Sequence, residues 1–74
     1  MPTVVTDLQR IAKKVSRHRA ARGWTHGQLA EAAGVSRRTV LVIERAERRV
    51  HDFTYGRVAI ALEIPLTQLI GEEK

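Results

Sequence analysis

The chain has 74 residues, a formal net charge of +5 and no cysteine. That length holds one domain around one small core. A hydrophobic content of 43% belongs to a globular chain rather than a disordered one. Without cysteine there is no disulfide framework and no thiolate metal site. The basic balance, with a pI of about 10.8, fits a polyanionic partner, a nucleic acid rather than an acidic substrate, without separating DNA from RNA; the plainer reading is a soluble basic protein.

Thr6 to Arg22 reads as the first helix. Thr6 and Gln9 have the spacing of a capping box, in which each side chain satisfies the other's orphan amide. Leu8, Ile11 and Val15 recur at helical spacing and face inward. Lys13, Lys14 and Arg17 lie away from that stripe, on a solvated basic side. Arg19 falls on the edge of the inward face, about 55° from its centre. Gly23 ends the helix, and Trp24 is expected to pack over the junction.

Thr25 opens the second helix, and Gln28 completes another capping box. The free amides of that first turn and the positive end of the helix dipole suit a phosphate. Thr25, His26 and Gln28 are therefore candidate phosphate contacts. Leu29, Ala30 and Ala33 give this helix one apolar side. Gly34 can take a positive φ without Cβ strain and so end it sharply. Val35 plugs the turn and Ser36 caps the third helix. Two helices joined by a short turn containing glycine form a helix-turn-helix, here residues 26–45.

On the third helix Val40 and Ile43 point inward. Arg38, Leu41, Val42 and Arg45 then point outward, with Arg37 on the flank. In such a unit the second helix enters the DNA major groove and its N-terminal residues meet base edges. Arginine is the best reader of guanine, because its fork matches O6 and N7. Leu41 and Val42 suit thymine methyl groups, and equally a protein contact. Glu44 sits on the inner edge of this helix. An unpaired buried charge costs several kcal/mol, so Arg19 and Glu44 are expected to pair.

Beyond Arg45 stands Ala46, which disfavours a left-handed cap, so the third helix is expected to continue through Glu47 and Arg48. Arg48, Arg49 and His51 form a basic loop able to grip a nucleic-acid backbone. Asp52 is the expected cap of a fourth helix with a buried stripe of Tyr55, Val58, Ala59 and Leu62. Pro65 opens a short fifth helix, whose Leu66, Leu69 and Ile70 close the core.

From Arg17 to Ile70 the chain resembles the helix-turn-helix family of phage repressors, Cro proteins and bacterial XRE-type transcriptional regulators. The resemblance is carried by Arg19, Arg22-Gly23, Thr25, Leu29-Ala30, Gly34-Val35-Ser36-Arg37, Thr39, Ile43-Glu44-Arg45, Arg57-Val58-Ala59, Ala61-Leu62, Ile64-Pro65-Leu66 and Leu69. It implies an all-α fold, a compact five-helix bundle of the lambda-repressor-like type, filling one domain over residues 1–74 with its core at 6–70. It places Ser36, Arg37, Arg38 and Val42 at bases, Thr39 at base or backbone, and His26 and Arg45 at phosphates, and it makes Arg19–Glu44 an internal ion pair. It implies a homodimer on a palindromic operator of double-stranded DNA, and hence a small repressor or autoregulator. Where the family commonly has Gln this chain has His26, and the usual glycines are replaced by Ala46 and Glu63.

The alternative reading is a protein-interaction module that keeps the fold and uses the outward Leu41 and Val42. An enzyme finds no support, since no nucleophile–base pair, acidic pair or phosphate loop stands at usable spacing. His18, His26 and His51 lack metal-ligand spacing, and no cofactor is expected. No run approaches about 20 apolar residues, so neither a signal peptide nor a membrane span is expected and the location is cytoplasmic, at the nucleoid. The fifth helix, Val4-Val5 and the fourth-helix region are the candidate dimer surfaces.

Overall fold

Short-range hydrogen bonds set where each helix begins and ends in the computed structural model, which describes residues 6–71. Among these residues the elements are α1 (Asp7–Ala21), α2 (His26–Ala33), α3 (Arg37–Glu44), α4 (Asp52–Leu62) and α5 (Leu66–Ile70), with no strand. Val4 and Val5 lie outside the described residues. Both capping boxes are formed. The hydroxyl oxygens of Thr6 and Thr25 accept from the amides of Gln9 and Gln28, whose side-chain carbonyls accept in return. Ser36 caps α3, its Oγ accepting from Thr39 N at 3.0 Å.

The first four helices end in one motif. A residue at the C-cap or just after it turns left-handed, and two amides bond back to carbonyls of the last turn. Gly23 and Gly34 take this place after α1 and α2, at φ 69° and 72°. After α3 it falls to Ala46, at φ 54°, with Ala46 N on Ile43 O and Glu47 N on Val42 O. After α4 it falls to Glu63, at φ 59°, with bonds to Ile60 O and Ala59 O. This corrects the expectation that α3 runs on through Glu47 and Arg48. Two backbone bonds outweigh the ~1–2 kcal/mol that a Cβ costs in that conformation. The start of α4 also moves by one residue: His51 is the N-cap, without a side-chain bond, and Asp52 is the first helical residue.

The core gathers Ile11 and Val15 of α1, Leu29, Ala30 and Ala33 of α2, Val40 and Ile43 of α3, Tyr55, Val58, Ala59 and Leu62 of α4, and Leu69 of α5. Trp24, Val35, Val50, Leu66 and Ile70 pack against it, partly buried. The α2–α3 pair is held from two sides, α3 resting on α1 and α2 on α4. Two cations, on α1 and at its C-cap, also tie down distant carbonyls. Lys14 Nζ donates to Gln68 O at 2.7 Å and Arg22 Nη2 to Leu62 O at 2.9 Å. Arg22 lies over the Trp24 ring as well, 5.2 Å from its centroid. No helix among the described residues is long and apolar enough to cross a membrane.

Candidate nucleic-acid interface

The outward face of α3 is a cationic strip. Arg37, Arg38 and Arg45 are exposed and Leu41 is half-buried; at about 100° per residue all four fall within roughly 100° of arc. Arg37 and Arg38 have no hydrogen-bond or ion-pair partner among the described residues. Arg45 has only a loose contact to Glu47, at 3.9 Å with both side chains at least half exposed.

Val42 is not part of this strip. It is 6% exposed, which corrects its expected place at a base edge. A wheel centred on Val40 and Ile43 puts Val42 about 130° away, but that centre presumes a single packing partner. The helix rests on both α1 and α2, and the chain leaving it doubles back onto the Val42 carbonyl. The buried arc is correspondingly wider.

Ser36 and Thr39 are occupied with each other. Besides the cap, their hydroxyl oxygens lie 2.9 Å apart. Ser36 is exposed and Thr39 half-buried. Thr39 also lines an open groove with Arg48, Arg49, His51, Asp52 and Phe53 of the loop into α4. On that loop Arg48 is exposed and unpaired among the described residues. Arg49 is bound to Asp52 at 2.8 Å and lies over the Tyr55 ring. The buried Tyr55 hydroxyl accepts from Val50 N at 3.3 Å and so fastens the loop to the core.

Arg19 and Glu44 meet at the back of the unit, where the structure brings α1 and α3 together. Arg19 Nε donates to Glu44 Oε2 at 2.7 Å and Nη2 to Oε1 at 3.1 Å, while Nη1 donates to Trp24 O at 2.8 Å. The hydrogen bond to Glu44 holds the Arg19 guanidinium above its ordinary pKa, with the carboxylate's charge adding to the effect. His26 joins them, its Nε2 standing 3.2 Å from Glu44 Oε1. Sequence reasoning missed this third member. Its signal was the departure from glutamine at the head of α2, but only the packing of α2 beside α3 shows where the ring goes. Thr25 and Gln28 are exposed with their oxygens committed to the capping box, so their remaining donors are the Thr25 hydroxyl and the Gln28 side-chain nitrogen.

Residues 15–69 match the helix-turn-helix family HTH_3. The chain belongs to this family. Among solved structures it is similar to the hypothetical transcription factor NHTF from Neisseria, with a TM-score of 0.81 and 24% identity over 95% of this chain and 85% of that one. It is also similar to an HTH_3 family transcriptional regulator from Vibrio cholerae, with a TM-score of 0.77 and 28% identity over 86% of this chain. The matched part spans only 38% of the Vibrio protein. No curated protein matches the chain. The fold is the all-α, lambda-repressor-like one that the resemblance implies.

Within this HTH_3 chain the helix-turn-helix itself is tightly built. Gly34 turns left-handed between α2 and α3, and a Cβ there would stand 3.2 Å from Arg57 Nη1. Arg57 stacks over Phe53 at 4.7 Å, so a side chain of α4 closes the outside of the turn. Val35 seals the inside. Among the described residues no group of three or more His, Asp or Glu side chains could hold a metal.

Proposed function

We propose that this protein binds double-stranded DNA sequence-specifically as a transcriptional regulator, reading the major groove with α3. One observation carries the reading: Arg37 and Arg38 stand exposed, and unpaired among the described residues, on the first turn of α3, on a helix whose other sides are fixed. Unpaired guanidinium groups on a rigid rod are pre-organised for guanine O6 and N7. Ser36 and Thr39 border them with hydroxyl groups. Arg45 and Arg48 flank the strip and meet phosphates. At the head of α2, Thr25, Gln28 and the free amides of His26 and Gly27 take another phosphate. The His26 ring, turned to Glu44, serves that site through its backbone.

A reading helix eight residues long covers few base pairs, so the operator is palindromic and the protein binds it as a homodimer, as a repressor or autoregulator. The dimer surface we assign is α4. Phe53 and Ile60, 69% and 77% exposed, stand seven residues apart and thus on one side of that helix.

The competing reading, a protein-interaction module, rested on the apolar pair Leu41 and Val42 and on the departures from the family at His26 and Ala46. With Val42 buried, the apolar patch shrinks to Leu41 among arginines, which favours a polyanion. Selection from randomised duplexes at two salt concentrations tests the proposal. The expected result is an enriched palindrome with half-sites about 34 Å apart and an affinity that falls steeply with salt. No enriched duplex, with salt-independent capture of a protein instead, would overturn it.

A further inference from the structure

Leu41 is the one residue on the outward strip that neither packing nor charge accounts for. Val40, Val42 and Ile43 are buried and do the packing of α3. Leu41 is half-buried, one helical turn from Arg37 and Arg38 on one side and from Arg45 on the other. An apolar side chain at that place is set among three guanidinium groups and turned toward the partner they face.

We propose that Leu41 reads the C5-methyl group of a pyrimidine in the major groove, carried by thymine or by 5-methylcytosine. The inference rests on the duplex-reading role proposed above and adds the feature recognised between the arginines. The edges of bases in that groove are donors and acceptors, and the C5-methyl is the apolar exception. Arg37 and Arg38 answer the acceptors of guanine; Leu41 has only the methyl to answer. Because the three side chains stand within one turn, the methylated pyrimidine lies within a step or two of the guanines. The buried Val42 cannot supply this contact.

The experiment uses the duplex recovered by selection. Each thymine in a half-site is replaced singly by uracil, which lacks the methyl and keeps every hydrogen-bonding group. Each cytosine is replaced singly by 5-methylcytosine. Affinities are measured for the protein and for Leu41→Ala, whose folding is checked by thermal melting. Loss of one buried methyl is expected to weaken binding about fourfold at a thymine, or its gain to strengthen binding as much at a cytosine. Leu41→Ala abolishes that difference while keeping the arginine contacts. A response at thymine assigns an unmodified operator, and one at 5-methylcytosine alone assigns modified DNA as the ligand. If no position responds, or if Leu41→Ala responds as the parent does, the inference is overturned while the DNA-reading role stands. If selection enriches nothing, the underlying role fails first.

Discussion

Replacing Arg19 by methionine removes one side of the Arg19–Glu44 contact and leaves the other behind. The Glu44 side chain is 7% exposed and that of Arg19 17%. Methionine keeps the aliphatic stem, so the loss falls on three hydrogen bonds, two to the carboxylate and one to the Trp24 carbonyl. An uncompensated buried charge of this kind costs about 3–5 kcal/mol. His26, 3.2 Å from Glu44, softens the loss, and we expect about 3 kcal/mol. For a chain of 74 residues, total stability is on the order of 4–11 kcal/mol, so the variant stays measurable in urea. Glu44→Gln should cost less, about 1–2 kcal/mol, because Arg19 can turn to water.

The double change Arg19→Met/Glu44→Met should cost less than Arg19→Met alone, because it leaves no stranded carboxylate. Arg19 gives the parent no pH dependence in the ordinary range. Its pKa is raised by Glu44, so its contribution is complete below the ordinary arginine value and is lost only in strong alkali. Urea unfolding followed by circular dichroism reads all of these. A cost below about 1 kcal/mol for Arg19→Met, or strict additivity in the double variant, would refute the reasoning.

Ala46→Gly should stabilise the protein by about 0.5–1 kcal/mol, because it relieves a left-handed Cβ at some cost in unfolded-chain entropy; thermal melting would then rise by several degrees. Val42→Ala should cost about 2 kcal/mol of stability and leave the preferred base sequence unchanged in a repeat selection. Arg38→Ala should lose discrimination at one base position by about 1–3 kcal/mol, whereas Arg48→Ala should weaken binding to all sequences alike and flatten the salt slope. Equal effects of the two on every duplex would reverse the assignment. If the proposed dimer forms through α4, Ile60→Glu should shift it toward monomer in sedimentation without lowering the melting temperature of the monomer, since that side chain is 77% exposed.

What was legible in the sequence was mostly local. The caps at Thr6, Thr25, Ser36 and Gly34 could be read because their partners lie within a few residues. The stripe from Tyr55 to Leu62 could be read because α4 buries one side, as a single stripe presumes. Arg19 and Glu44 could be matched across the chain because two charges at core edges need each other. Val42 could not be read, because its burial depends on how many neighbours surround α3. Ala46 could not, because the two backbone bonds that close the helix end overrule its side chain's preference. The turn of His26 toward Glu44, the grip of Arg22 on the end of α4 and the bond from Val50 to the Tyr55 hydroxyl are all contacts between elements that no spacing in one segment encodes.

Lys14 and Arg22 have a bearing on how the chain comes together. They stand on α1 and at its C-cap, and each grasps a carbonyl 40 or more residues further along, Lys14 that of Gln68 and Arg22 that of Leu62. A ribosome delivers α1 long before it delivers those partners. The adjacent α2 and α3, by contrast, can find each other soon after emerging, since their meeting needs only the short Gly34 turn. The stripe of α1 can lean on α3 as soon as that helix is out, but its two long-range bonds must wait until α4 and α5 arrive. Closure of the bundle is therefore completed last at these two cations, which act as latches on the final two helices.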